Sequence, residues 1–237
     1  MFPHLFPDNV RQKASLFLLA GLLPAAGLLG ASANDRKPLS SPDASIQVSI
    51  RMPAPGSAER PRWSATFRGK PLLTECGLGL QTADSGDLMA GARVLEERRR
   101  SVDERLPVLF GRSDHANDRF HEVRFTLETS QHRRADVVFR VYDDAVALRY
   151  ELPGENTTAS VTITSESTSF QLEGEPAAFV QYLENYQTSH EHNVTATRYR
   201  EIRRGALLDM PLTFSWADNT CAAITEASLR HYAGMSL

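Results

Sequence analysis

The chain has 237 residues, 26 basic against 29 acidic side chains and a formal net charge of −3. That length suits one sizeable domain, and a hydrophobic share of 41% excludes a disordered tail. The charge balance excludes a broad cationic surface for nucleic acid, and two cysteines are too few for a disulfide framework or a four-cysteine zinc site.

Arg11 and Lys13 open the chain with positive charge. Ala14 to Gly30 form an uncharged, Leu-rich run, and Ala31-Ser32-Ala33 give a small-x-small exit. This is the pattern of a secretory signal peptide over residues 1–33. The run is at the short edge of what spans a bilayer and Pro24 interrupts it, so no membrane attachment is expected after cleavage. The expected location is periplasmic or extracellular. There a bond between Cys76 and Cys221 is permitted, although their apolar, strand-like surroundings favour two buried free thiols. Residues 34–44 are polar and rich in Pro and Ser, and read as a linker.

From residue 45 onward, period-two alternation recurs. Ile46, Val48 and Ile50 share one face, with Gln47, Ser49 and Arg51 on the other. Arg62 to Arg68 predicts a second strand, and Gly69-Lys70 a tight turn into the next. Leu78 and Leu80 point inward between glycines. Val123, Phe125 and Leu127 alternate with Glu122, Arg124, Thr126 and Glu128; Val137, Phe139 and Val141 repeat the period, and then Val146, Leu148 and Tyr150. Ile163, Leu172, Leu212, Phe214 and Ala222 to Glu226 extend the series. The one helical competitor, Asp87 to Arg100, is weakened by Gly91. Many short alternating strands without a fixed repeat predict an all-β fold, a large antiparallel β-sandwich. At Tyr142-Asp143-Asp144-Ala145, a type I turn with a bulge would need a left-handed residue at Ala145, which alanine adopts only with strain.

The chain has no GxSxG elbow, HExxH, CxxC or Gly-rich phosphate loop. His190-Glu191-His192 is the only histidine cluster. On a strand its side chains would alternate and could not share an ion, whereas in a loop they could. Arg98-Arg99-Arg100 reads as a solvated strand end. Glu184, Glu191, Asp103, Glu104 and Glu226 lie near aromatic or amide residues, which suits hard-oxygen calcium ligation or a sugar site. Trp63, Tyr182, Tyr186 and Trp216 are candidates for stacking on sugar rings.

Several segments, taken in order, resemble the N-terminal domain of glycoside hydrolase family 97. They are Ser40-Ser41-Pro42-Asp43, Gly77-Leu78-Gly79-Leu80, Ser101-Val102-Asp103-Glu104, the run from Arg140 to Pro153, and the run from Glu226 to Leu237. The resemblance implies a galactose-mutarotase-like supersandwich over residues 45–237. It implies a parent enzyme that is a secreted exo-acting α-glucosidase or α-galactosidase with a (β/α)8 catalytic barrel. No catalytic residue is then expected in this chain. The implied partners are an α-linked oligosaccharide and the barrel of the same polypeptide. The implied cofactor is Ca2+, held by glutamates of which the N-terminal domain supplies one. Tyr186 to Ile202 resembles the segment that supplies it; Glu191 is the best match, and Glu184, just before that segment, is the second candidate. A glycosidase needs two carboxylates across the scissile bond, so the domain alone is expected to be inactive. A stand-alone carbohydrate-binding module is the alternative.

Overall fold

The structure, a computed structural model, describes residues 36–54, 56–152, 161–227 and 232–237. All of them belong to one unit, Ser32–Leu237. The expected signal peptide, and Ser228 to His231 of the last motif, lie outside the described residues.

The first sheet joins β1 (Leu39–Ser40), β2 (Ile46–Arg51), β3 (Arg62–Phe67) and β4 (Lys70–Gly77) in sequential antiparallel order. Leu39 and Ser40, within the segment 34–44 expected as a linker, therefore contribute to the sandwich. Leu39 is buried and pairs with Val48. Ser41 closes the turn that follows, where its Oγ accepts from Ile46 N at 3.0 Å and donates to Asp43 at 2.6 Å. A polar, Pro-containing stretch can thus be ordered by one buried leucine and one side-chain turn. The β3–β4 hairpin turns at Arg68-Gly69, both at positive φ (49° and 78°), one residue before the expected place. Two consecutive left-handed residues match the right-handed twist of the flanking strands.

β5 (Leu80–Thr82) and β6 (Gly86–Asp87) lead into β7 (Arg93–Pro107), β8 (His115–Glu128), β9 (Arg134–Val141) and β10 (Val146–Glu151). The last four form an antiparallel meander. β7 replaces the helical competitor at Asp87 to Arg100. Its 15 residues alternate faces: Arg98 and Arg100 pair across to Arg124 and Glu122, while Arg99 reaches the carbonyls of Lys37 and Pro38. The three arginines thus stand inside a strand on opposite faces, not together at its end. β7 is an edge strand, and its density of charge blocks edge-to-edge pairing. At the β9–β10 corner no residue of 142–145 has positive φ. Tyr142 N donates to Ala145 O at 2.8 Å, so the turn closes on Asp143-Asp144 without a left-handed Ala145.

The first sheet and the meander pack face to face. Val48, Trp63, Ala65 and Cys76 meet Val123, Phe125, Leu127, Val137 and Phe139 in one core, with the Trp63 and Phe139 rings 5.7 Å apart. β11 (Ile163–Glu166) adds to β5 and β6. The chain then runs on antiparallel beside β4. Ser167 N donates to Gly79 O, Ser169 N to Gly77 O, Thr74 N to Gln171 O and Glu173 N to Leu72 O, all at 2.9–3.0 Å. This seam carries Leu172 into a second core.

The second core is built by β12 (Ala177–Val180), β13 (Tyr182–Leu183), β14 (Thr195–Arg198), β15 (Leu207–Leu208), β16 (Leu212–Ser215) and β17 (Cys221–Ile224). The strands form a sheet ordered β14-β12-β16-β17 and a small β13-β15 pair. Leu172, Val180, Leu208, Leu212, Phe214 and Trp216 pack together there. The architecture is all-β and antiparallel, as the alternation predicts. Cys76 is buried and Cys221 is exposed, and both are free thiols. Cys221 therefore differs from its expected burial: it lies on the outward face of a terminal strand, opposite Ser215.

Two features generate tests. The first is Glu122, on the outer face of the meander, whose side chain is only 5% exposed. Arg100 grips it at 2.6 and 2.9 Å and Arg140 at 2.7 Å, and Arg140 also covers the Phe120 ring at 4.2 Å. Burial pushes the Glu122 carboxyl up, but the hydrogen bonds and charges of both arginines outweigh it and hold the group below its ordinary value. A depressed carboxylate contributes its full stability above the unfolded-state pKa and loses it as pH falls through the folded-state pKa. Glu122→Gln is expected to cost about 3 kcal/mol at neutral pH. It should also flatten the acid limb of the stability curve, read by urea unfolding at successive pH values. An unchanged acid slope would refute the role of this carboxylate.

The second is Gly79. A Cβ there would stand 2.2 Å from Ser167 Oγ and 3.3 Å from the Arg60 guanidinium. Gly79→Ala is expected to destabilise by about 1–3 kcal/mol. Most of that loss should be recovered in a Ser167→Ala background. A strictly additive double variant would show that the seam has room to spare.

Candidate functional site

The segment with the strongest functional expectation, Tyr186 to Ile202, begins in the connection between β13 and β14. Residues 184–194 form an irregular loop there, and β14 follows. His190-Glu191-His192 is therefore in a loop, where side-chain direction is not forced to alternate.

The stem of the loop is clamped by Asp209. Gln181 donates through Nε2 to Asp209 Oδ2 at 2.8 Å and to His190 O at 2.7 Å. His190 Nδ1 lies 2.9 Å from Asp209 Oδ1. The backbone N–H of Asp209 returns a bond to Gln181 O at 2.9 Å, and Met210 N donates to Asp209 Oδ1 at 2.9 Å. Within the loop, Asn185 Oδ1 accepts from Gln187 N, and Ser189 Oγ accepts from Glu191 N. His192 Nε2 is 3.3 Å from Thr188 Oγ1. His190 is thus turned inward to its carboxylate, while Glu191 beside it is turned out.

Glu184 and Glu191 are both exposed, and neither carboxylate makes a hydrogen bond or ion pair among the described residues. The histidines flanking Glu191 have partners of their own, so the triplet is not a preformed chelate. Among the described residues no group of three or more His, Cys, Asp or Glu side chains converges to hold a metal. Asp103 and Glu104 lie instead on β7, and Glu226 follows β17. Calcium takes six to eight oxygens, so the chain's own donors fit a contributed ligand and not a complete site.

The stacking candidates separate in the same way. Trp63 is buried in the first core, with its ring against Phe139 and Phe170. Trp216 is buried too; its indole N–H donates to Glu173 O at 2.9 Å, and Lys70 stands 5.2 Å from the ring. Tyr182 lies beneath Arg203, whose guanidinium is 4.4 Å from the ring centre. Only Tyr186, 82% exposed at the tip of the loop, presents an open face. Val194 and Phe179 are exposed near it in the chain and on β12. The loop thus groups one aromatic ring, two free carboxylates and an apolar fringe.

Asp209 and Gln181 carry no local motif. Their contacts span 19 and 28 residues of sequence, so only the folded chain brings them together. Asp209→Ala is expected to increase amide exchange and protease cleavage within residues 184–194 by about tenfold, since a half-buried carboxylate with several donors is lost. Asp209→Asn should do so less, and Glu191→Gln not at all. Equal protection in wild type and Asp209→Ala would refute the clamp.

The chain is similar over most of its length to longer proteins. A retaining α-galactosidase of Bacteroides thetaiotaomicron is 24% identical over 236 residues, covering 95% of this chain and 33% of that protein. A probable retaining α-galactosidase of Streptomyces bingchenggensis is 27% identical over 187 residues, covering 78% of this chain and 28% of that protein. The chain thus spans about a third of the curated relatives it matches. Among solved structures, a glycoside hydrolase family 97 enzyme of Pseudoalteromonas in complex with acarbose superposes with a TM-score of 0.71 at 22% identity, covering 84% of this chain and 30% of that one. A β-arabinopyranosidase superposes at 0.66 and 22% identity, over 81% and 32%. These structures share the fold of the described sandwich. The sequence pattern described as "Glycosyl-hydrolase 97 N-terminal" matches residues 39–237, beginning at the buried Leu39, and the chain belongs to that family.

Proposed function

We propose that the chain serves as the N-terminal accessory domain of an exported α-glycosidase of the α-galactosidase or α-glucosidase type. In this reading it works beside a (β/α)8 catalytic barrel of the same polypeptide and presents the 184–194 loop to the barrel's active site. Glu191 supplies one oxygen ligand to a shared Ca2+, with Glu184 as the second candidate. The observation that carries the reading is a pair of exposed glutamates that make no hydrogen bond or ion pair among the described residues, on a loop whose stem is fixed by Asp209. The relatives named as retaining α-galactosidases are about three times the length of this chain, which supports a division of labour between domains. Family 97 enzymes solved in complex with panose and with acarbose support an α-linked oligosaccharide as the ligand.

Bound calcium would supply a fixed positive charge that orients sugar hydroxyls and neighbouring carboxylates. The chain's own residues act around it. Asp209 holds His190 and Gln181, and these aim the loop. Tyr186 offers a face to a sugar ring, and Phe179 and Val194 give apolar area for contact with a neighbouring domain. Export by a signal peptide over residues 1–33, to the periplasm or outside the cell, belongs to the same reading. The second reading, a stand-alone carbohydrate-binding module, rests on Tyr186 alone, since the other three aromatic candidates are covered.

The chain by itself is expected to cleave no aryl α-galactoside or α-glucoside above the uncatalysed rate. It should also bind Ca2+ more weakly than about 1 mM by titration calorimetry, because two carboxylates fall short of a calcium shell. In a polypeptide that joins this domain to a catalytic region, Glu191→Gln is expected to weaken calcium affinity by about tenfold or more. Turnover by the isolated chain, or an unchanged calcium affinity in that variant, would overturn the proposal.

A further inference from the structure

The Asp209 clamp hangs on a very small piece of sheet. β13 and β15 contribute two residues each, with Tyr182 opposite Leu208 and Leu183 opposite Leu207. A two-stranded pair is marginal in water, and one this short more so. β15 has a second neighbour. Leu208 N donates to Leu237 O at 2.7 Å, and Leu237 N donates to Leu208 O at 3.1 Å. The next residue turns the other way, as extended backbone requires: Asp209 N donates to Gln181 O at 2.9 Å. β15 is thus held between β13 and the segment 232–237, and Asp209 follows it directly.

The near end of the same segment is tied to the seam between the two cores. Tyr232 OH donates to Glu166 Oε2 at 2.9 Å, and Thr168 Oγ1 donates to Glu166 Oε1 at 2.7 Å. An ionised carboxylate only accepts, so both hydroxyls direct their protons at it. Thr168 Oγ1 must then accept from Tyr150 OH at 2.7 Å, and Tyr150 OH accepts in turn from Gly79 N at 3.2 Å. Every donor in this chain points toward Glu166, and each bond polarises the next. Burial and the adjacent carboxylate push the Tyr232 phenol up from its ordinary value.

We propose that Tyr232 and Glu166 are positioning residues for the 184–194 loop: by latching the segment after β17 to the seam, they hold β15 in place and with it the Asp209 clamp. The route is contiguous. It runs from Glu166 to Tyr232, along the backbone to Leu237, across to Leu208 and Asp209, and on to Gln181 and His190. Its functional meaning rests on the proposed role of the loop, whereas the coupling itself needs neither calcium nor sugar.

The test is native-state amide exchange on the 237-residue chain, with absorbance titration of its tyrosines. Tyr232→Phe removes one hydroxyl from a ring that is 41% exposed, so the fold is expected to survive it. Exchange within residues 184–194 should rise by about threefold or more, while β8 and β9 keep their wild-type protection. Glu166→Gln should act in the same way, because an amide oxygen and an amide NH2 cannot both accept from the two hydroxyls. It should also bring the Tyr232 ionisation back toward the ordinary tyrosine range, with Tyr232→Phe identifying the titrating group. The two substitutions share one bond, so together they should do little more than either alone. In an Asp209→Ala background, Tyr232→Phe should add nothing in the loop, since the route ends at the clamp. Unchanged loop exchange in both single variants, an equal rise in β8 and β9, or full additivity with Asp209→Ala would each overturn the proposal. These readouts are independent of the Glu191→Gln calcium measurement, so the latch and the calcium reading fail separately.

Discussion

The two cores are joined by one backbone seam, residues 161–173 running antiparallel beside residues 72–83. Leu73 and Leu172 form a bridge at its centre; Phe170 packs against the first core and Leu172 belongs to the second. The seam depends on close approach. Gly77 N donates to Ser169 Oγ at 2.7 Å, and Gly79 N donates to Tyr150 OH at 3.2 Å. A side chain at Gly79 would occupy the space that Ser167 Oγ and Arg60 now fill. The alternation Gly77-Leu78-Gly79-Leu80 therefore has a simple meaning: the leucines fill the core, and the glycines let a neighbouring backbone come near. Tyr150 extends the connection through Thr168 to Glu166, which also accepts from Tyr232.

Charge is organised around that frame in a way that protects it. The core face of the meander is apolar, while its outer face carries arginines and carboxylates that answer each other across strands. Arg124 bridges Asp136 on β9 and Glu151 on β10. Arg100 and Arg140 share Glu122 from strands on either side of it. The guanidinium groups of Arg100 and Arg140 lie over the Phe120 ring, which explains how a residue on the outer face becomes buried. The same charges make the edge strand β7 a poor template for another sheet.

The candidate site follows a different logic. Its loop has little apolar burial, so polar clamps hold it: Asp209 at the stem and Asn185, Thr188 and Ser189 within. The clamps leave Glu184, Glu191 and Tyr186 exposed among the described residues. A loop rigid at its base and open at its tip suits a surface completed by another domain.

The amino-acid sequence by itself determined the all-β class, three of the four strands of the meander, many of the inward residues of the cores and the family. Period-two burial is a local property, and the motif from Arg140 to Leu152 is continuous. The resemblance pointed to the segment that carries Glu191, whereas alternation alone left strand or loop open there. What it misjudged were contacts made at a distance. The stretch 34–44 looked like a linker because its composition is polar, yet Leu39 and Ser41 find partners in β2. Arg98-Arg99-Arg100 looked like a strand end because its charge hides a strand that pairs with β8 along its whole length. Trp63 and Trp216 looked available for sugar stacking, but packing covers both. Asp209 gave no local sign at all. Only the tertiary structure decided which polar groups are clamped and which remain free, because hydrogen bonds between residues 19 to 28 positions apart depend on strand order and register, not on neighbours in sequence.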